Sequence, residues 1–284
     1  MRDLFLAAPK KMRAEKLEEY GAYLVDRDGD LDINARVLSK REAMIAKHEA
    51  PPTATAPMDD AEFRRQYTKF NQRTMRDPEM LLLLGLVKVN SAEAYGVECN
   101  FQRTLVRAES FGNDTLMRIL CEETYHTRIL LSSAKHWGID VDQAYRPPSA
   151  LRILINGIAT APDAIALPLT LAGEFIATLM FQKLLEIVPR VLKHRPEIRD
   201  AIEERIIEIC TDEHGHISFN RMLASNMELA ELRVILTMTS RIMRTVFPEM
   251  VALGAFPRDI MKELPMLADP KRIPEAVRRH AFFA

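Results

Sequence analysis

The sequence contains little cysteine and little glycine. Only three of its 284 residues are cysteine, namely Cys99, Cys121 and Cys210, and no two of them form a Cys-x-x-Cys pair. An odd number of widely spaced cysteines predicts neither a disulfide framework nor a zinc ribbon, and it fits a reducing compartment such as the cytoplasm. The ten glycines, set against long runs of periodic apolar residues, favour helices over β-sheet.

The sequence also lacks an excess of charge of one sign and an N-terminal secretion signal. Its 39 lysines and arginines balance 40 aspartates and glutamates and are interspersed with them, so we expect no nucleic-acid binding. The apolar run at residues 4–8 is too short for the core of a signal peptide. Residues 164–181 are apolar enough for a membrane span, but flanking prolines and charges, with Glu174 inside the run, favour a buried helix of a cytoplasmic protein.

Two segments of the chain carry the same Glu-x-x-His pattern. The pairs are Glu123 with His126, and Glu213 with His216. Residues three apart lie on one face of a helix, so each pair projects to one side. Two such pairs, each joined by a glutamate from a further helix, form the ligand pattern of di-iron and di-manganese carboxylate bundles.

The periodicity and the helix-end signals predict four long helices, at about residues 78–111, 114–137, 162–194 and 196–225. Asp77 and Pro78 begin the first, Gly112 to Asp114 form a tight turn, Gly138 ends the second, and Ser149 caps a short helix. Further helices are expected within residues 12–20, 33–47, 59–76 and 227–247. The predicted fold is all-α: an N-terminal helical extension at 1–76, a four-helix bundle at 77–225, and C-terminal helices and a tail at 226–284.

Two glutamates of the first long helix, Glu93 and Glu98, compete to complete the ligand set. Counted from the predicted turn, Glu98 lies one residue, about 1.5 Å, from level with His126, whereas Glu93 lies six residues, about 9 Å, beyond it. In the second hairpin the same count places Glu174 level with His216 to within one residue. We therefore expect Glu98 and Glu174 to face the two histidines.

Four carboxylates in a helical core would be very costly without compensation. Two divalent cations balance four negative charges, with neutral imidazoles completing the coordination, and this set of oxygen and nitrogen atoms suits iron(II) or manganese(II). The predicted metal ligands are Glu98, Glu123, His126, Glu174, Glu213 and His216.

An acidic residue precedes each Glu-x-x-His pair. A metal-bound histidine usually donates its other ring N–H to a carboxylate, which fixes the ring's tautomer and orientation. We expect Asp212 to hold His126 and Glu122 to hold His216, the alternative being that both acids lie on the surface.

These residues resemble the ferritin-like non-haem di-iron carboxylate superfamily. The resemblance covers about residues 78–225 and is carried by Glu98, Glu122-Glu123-x-x-His126, Glu174 and Asp212-Glu213-x-x-His216. It implies a four-helix bundle that holds two iron ions, with manganese as an option at one position, and that reacts with O2. Members of the superfamily include multicomponent hydroxylases, acyl-carrier-protein desaturases, aryl-amine N-oxygenases, ribonucleotide reductase small subunits and ferritins.

Three positions distinguish among these members. Leu130 stands where ribonucleotide reductase subunits place their radical tyrosine, and Ile209 stands where the p-aminobenzoate type of N-oxygenase has a further histidine. Thr178, four residues after Glu174, matches the threonine that hydroxylases keep beside the metals for proton and oxygen handling, so the resemblance implies a catalytic role for it. The alternative for Thr178 is a hydroxyl bonded to a carbonyl of its own helix.

The expected function is therefore O2-dependent monooxygenation of a small organic substrate by hydroxylation, desaturation or N-oxygenation. Such an enzyme needs an external electron donor, and we expect it as a monomer or homodimer. The alternative is a ferritin-like iron-handling protein, or ferroxidase, without an organic substrate. The length of the chain and its helices outside the bundle favour the oxygenase.

Overall fold

The computed structural model describes residues 4–48, 59–111, 114–139 and 146–284, and the fold is all-α, as predicted. The longer helices are α1 (Lys10–Asp28), α2 (Ser39–His48), α3 (Asp60–Thr68), α4 (Pro78–Phe111), α5 (Thr115–Lys135), α6 (Ser149–Thr160), α7 (Asp163–Val191), α8 (Pro196–Leu223) and α9 (Asn226–Val246). The tail contains α10 (Pro248–Leu253), α11 (Ile260–Glu263), α12 (Pro265–Ala268), a 3-10 turn (Pro270–Arg272) and α13 (Glu275–Arg278).

The four long helices α4, α5, α7 and α8 form two antiparallel hairpins, α4 with α5 and α7 with α8, which pack together through α5 and α8. The apolar core runs through all four helices and includes the fully buried Leu86, Ile129, Phe175 and Ile206. Outside the bundle, α1 packs on α8, α2 on α5 and α9 on α7, while α6 contacts both α4 and α7. The N-terminal helices therefore cover the two helices that carry the Glu-x-x-His pairs.

The predicted helix at residues 33–47 is only partly correct. A short antiparallel hairpin, β1 (Leu31–Asp32) and β2 (Val37–Leu38), occupies its beginning, and α2 starts at Ser39. The Asp32 carboxylate accepts hydrogen bonds from the backbone N–H groups of Asn34 and Ala35, and Arg36 has a positive φ of 54°. Aspartate in this position stabilises a turn, and the turn outweighs the helical periodicity of the sequence.

Several helix ends lie where the sequence predicts them. The Asp77 carboxylate accepts hydrogen bonds from the N–H groups of the first turn of α4, and Gly138 follows α5 with a φ of 66°. Ser149, by contrast, is the first residue of α6 rather than its cap. The turn predicted at residues 112–114 lies mostly outside the described residues, as does the linker of residues 51–57.

Two helices, Pro78–Val106 and Asp163–Val191, are long and apolar enough to span a membrane. In each, most of the apolar window is buried inside the fold, 67% in the first and 61% in the second. The core helices of soluble proteins have the same property, so the structure is compatible with a soluble protein.

The start of α9 is stabilised by a capping box, which mutation can test. The Ser225 hydroxyl accepts a hydrogen bond from Glu228 N–H, and the Glu228 side chain accepts one from Ser225 N–H. We expect Ser225→Ala to lower the free energy of unfolding by about 1 kcal/mol, because it leaves a helix N–H unpaired. Ser149→Ala, which removes no cap, should change it by less than about 0.5 kcal/mol. Urea denaturation checks both, and equal effects would refute the assignment.

Candidate metal centre

The two Glu-x-x-His pairs meet at the centre of the bundle. His126 on α5 and His216 on α8 are fully buried, and their ring centroids lie 5.9 Å apart. Glu123 lies between the two rings, with Oε1 2.8 Å from His216 Nδ1 and Oε2 3.6 Å from His126 Nδ1. One carboxylate therefore approaches both histidine rings.

Glu174 and Glu213, on the second hairpin, also face the two histidine rings. Glu213 Oε1 lies 3.6 Å from His126 Nδ1, and Glu174 Oε2 lies 3.9 Å from His216 Nδ1. Ligand atoms of Glu123, Glu174, Glu213 and His216 all lie within 4.8 Å of one another. Metal–ligand bonds are about 2 Å long, so the ligand atoms of one ion lie at most about 4 Å apart, and small side-chain shifts would bring these atoms to such separations. This group of Glu and His residues could hold a metal ion.

The prediction that Glu98 joins this group is wrong. Its side chain is 69% exposed and accepts a hydrogen bond of 2.8 Å from Arg36. Glu93 occupies the position instead: its carboxylate faces the same cavity as Glu123 and Glu174, and its Oε2 atom is buried. Burial, with the neighbouring Glu123 carboxylate, raises the pKa of Glu93 to about 8.

The number of residues from the turn gives the position of a side chain along the helix axis but not its direction around the axis. Five residues also rotate an α-helix by about 140°, so Glu93 and Glu98 point in different directions. The buried stripe of α4 includes Leu82, Leu86, Val89 and Val97, and Glu93 lies four residues from each of the last two. The helical phase of this stripe was the sequence signal that selects Glu93 over Glu98.

Unpaired buried atoms indicate that these residues fit metal ions. Of the buried side-chain atoms without a hydrogen-bond partner among the described residues, four belong to this site: Glu93 Oε2, His126 Nδ1, Glu213 Oε2 and His216 Nδ1. His216 Nδ1 lies 2.8 Å from Glu123 Oε1, but the two atoms do not have the geometry of a hydrogen bond. Each unpaired buried polar atom is costly in a folded protein, and these four atoms face a common point. Coordination of metal ions would satisfy them.

Each metal-facing histidine is held from behind by an acid on the opposite helix, as the sequence predicted. His126 Nε2 donates to Asp212 Oδ2 at 3.0 Å, and His216 Nε2 donates to Glu122 Oε2 at 2.9 Å. Both acids are buried, so the alternative that they lie on the surface is wrong. These hydrogen bonds leave Nδ1 of both rings as the atom available to a metal.

The N-terminal helices supply the charges that support those acids. Buried Arg41 donates from Nη2 to Glu122 Oε1 at 2.9 Å and to Asp212 Oδ1 at 2.6 Å, and Arg27 donates to Asp212 Oδ1 at 2.7 Å. Burial alone would raise the pKa of Asp212, but the two guanidinium groups hold it well below its usual range. Sequence analysis missed both arginines, because nothing in their local sequence distinguishes them from surface residues of an amphipathic helix.

Thr178 adopts the alternative arrangement considered for it. Its hydroxyl donates to the carbonyl of Glu174 at 2.7 Å, in its own helix. The α7 residues that line the cavity beside the carboxylates include Gly173 and Ala177 but not Thr178. In this structure the hydroxyl is therefore bonded within its own helix, and its geometry does not support the catalytic role that the resemblance implies.

We expect Glu93→Gln to weaken metal binding at least tenfold, because it removes an anionic ligand from the buried cluster. Glu98→Gln is the matched control: the same chemical change, five residues along the same helix, removes only an exposed ion pair. Titration with Mn(II), followed by electron paramagnetic resonance of the free ion, measures both affinities. Weaker binding in Glu98→Gln with unchanged binding in Glu93→Gln would reverse the assignment.

Metal binding should also release protons. Burial alone would lower the pKa of His126, but Asp212 and Glu123 outweigh it and raise the pKa to about 10 in the metal-free protein. The ring then carries a proton on Nδ1 at neutral pH, which a metal must displace, so apparent affinity should rise with pH up to about 10. Calorimetric titration at pH 7 in two buffers of different ionisation enthalpy checks this. Identical binding enthalpies in the two buffers would show that no proton is released.

Comparison of the chain with known proteins leaves the site to be interpreted from its own geometry. No family model, no curated protein and no solved structure matches the chain.

Proposed function

We propose that this protein is a cytoplasmic, O2-dependent non-haem di-iron monooxygenase that oxidises a small organic molecule. The observation that carries the proposal is the convergence of six side chains from four helices on one buried point. These side chains are Glu93, Glu123, His126, Glu174, Glu213 and His216. Four carboxylates match the charge of two divalent ions, and manganese is an option at one position.

Two iron ions at this site would supply the electrons and the Lewis acidity with which O2 is activated. The protein's own contribution is to hold the ligands rigidly. Glu123 spans the two histidines, and Asp212 and Glu122 keep a proton on Nε2 of each ring. The buried helices around the site limit access of water to it.

An organic substrate is favoured over the iron-handling alternative by the space beside the site. Glu93, Glu123, Glu174 and Glu213 form part of the wall of a cavity of about 320 Å³, whose other walls are mainly apolar. Iron and its aqueous complexes are polar and gain nothing from an apolar chamber, whereas an organic molecule does. Monooxygenation places one oxygen atom in the substrate and reduces the other to water, which requires two electrons and two protons from an external donor.

The proposal predicts about two irons per chain and O2 consumption by the chemically reduced protein. Glu213→Ala should lose at least half of the iron and the O2 uptake, while Glu98→Ala should retain both. Metal analysis and an oxygen electrode provide the measurements. Fewer than about two irons in the reconstituted wild type, or no O2 uptake, would refute the proposal, and a large hollow oligomer on a sizing column would favour iron storage.

A further inference from the structure

The cavity beside the metal centre is bounded by residues of α4 to α9. Its volume of about 320 Å³ lies in the range of small-molecule sites. Apolar side chains of α6, namely Leu151, Leu154, Ile155 and Ile158, form one wall, and Phe219 of α8 contributes to another. A ligand in this cavity would therefore contact hydrocarbon on most sides and the carboxylates of the metal centre at one end.

Two glycines keep this volume open. A Cβ atom added at Gly96 or at Gly173 would meet no atom within 4 Å. Gly96 lies one turn after Glu93, and Gly173 directly precedes Glu174, so both lie beside metal ligands and line the cavity. Elsewhere in the bundle a neighbour fills the space over a glycine: Met250 lies 2.5 Å from a Cβ built at Gly85.

Glycine destabilises the interior of a helix relative to alanine. At Gly85 the neighbouring packing is close, because a Cβ atom there would require the Met250 side chain to shift. Gly96 and Gly173 have no such neighbour, and neither has a positive φ. Both glycines therefore leave the space next to Glu93 and Glu174 unfilled.

The charges around the cavity restrict what that molecule can be. Arg103 is the one cationic side chain among the described residues that line the cavity. Its guanidinium donates to the carbonyls of Ile158 and Ala161 at 2.9 and 2.6 Å and pairs with Asp163, the first residue of α7. Arg103 is thus fully paired with groups at and just after the end of α6. The other charged groups among the described residues of the wall are the four carboxylates of the metal centre.

We infer that the cavity binds an uncharged, largely apolar molecule and that Gly96 and Gly173 determine its permitted size. The inference rests on the proposed function in taking the carboxylate end as the reactive one. Two divalent ions would only balance the four acids, and the described lining offers no free side-chain cation, so a carboxylate-bearing ligand would lose its hydration among apolar walls without an ion pair in return. An uncharged ligand gains from the apolar walls without that cost.

Filling the cavity tests the inference. Gly96→Leu and Gly173→Leu place an isobutyl group into the open volume, and Gly157→Leu is the matched control. Gly157 also lies in a helix with open space over its Cα, but it is exposed and does not line the cavity. All three substitutions raise helix propensity, so thermal melting should show folded proteins, and Gly173→Ala provides a milder variant of the same site.

The probes are cumene, which is apolar, and benzoate, an anion of similar size, with binding to the full-length protein measured by ligand-detected NMR. We expect the wild type and Gly157→Leu to bind cumene equally, the two filled variants to bind it at least tenfold more weakly, and benzoate to bind the wild type at least tenfold more weakly than cumene. Unchanged cumene binding in the filled variants, or benzoate binding as tight as that of cumene, would overturn the inference.

The measurement is made both on the protein as purified and after treatment with a chelator. It requires neither iron nor turnover, so it separates this inference from the proposed function. Cumene binding that responds to Gly96→Leu, in a protein that consumes no O2, would support the cavity assignment and refute the oxygenase. O2 uptake without any cumene binding would do the reverse.

Discussion

The compensation of buried negative charge is the constraint on which this structure depends. The inner carboxylates, Glu93, Glu123, Glu174 and Glu213, surround a common point, while Glu122 and Asp212 lie behind the histidines. Acids at this depth are tolerated only when cations and hydrogen bonds neutralise them. The fold supplies two separate solutions, with coordinating atoms available to metal ions on the inside and arginines on the outside.

The two histidines lie between the inner carboxylates and the outer acids, Glu122 and Asp212. Each ring presents Nδ1 to the centre and donates from Nε2 to an acid that Arg41 also contacts. The Arg41 guanidinium therefore contacts both of the acids that hold the histidines, so a change in one of these hydrogen bonds affects the other. The N-terminal helices, which lie outside the four-helix bundle, are for this reason part of the site's electrostatics as well as of its packing.

The same bundle holds its metal ligands tightly and leaves space beside them. Packing is close where Tyr20 lies against Gly215 of α8, while Gly96 and Gly173 remain uncovered on the cavity side. A tightly packed face keeps ligand geometry fixed, and an open face admits a reactant. The asymmetry supports the proposal that an organic molecule, rather than further iron, occupies the space next to Glu174.

The local pattern of the sequence determined the features that depend on helical spacing: the all-α fold, the shared face of each Glu-x-x-His pair, and the acids that precede them. Only the tertiary structure decided what depends on rotation and on distant segments. Glu93 replaces Glu98 because helix phase, which axial counting ignores, directs the side chain. Arg41 reaches the site because α2 packs on α5, a contact that no local pattern encodes.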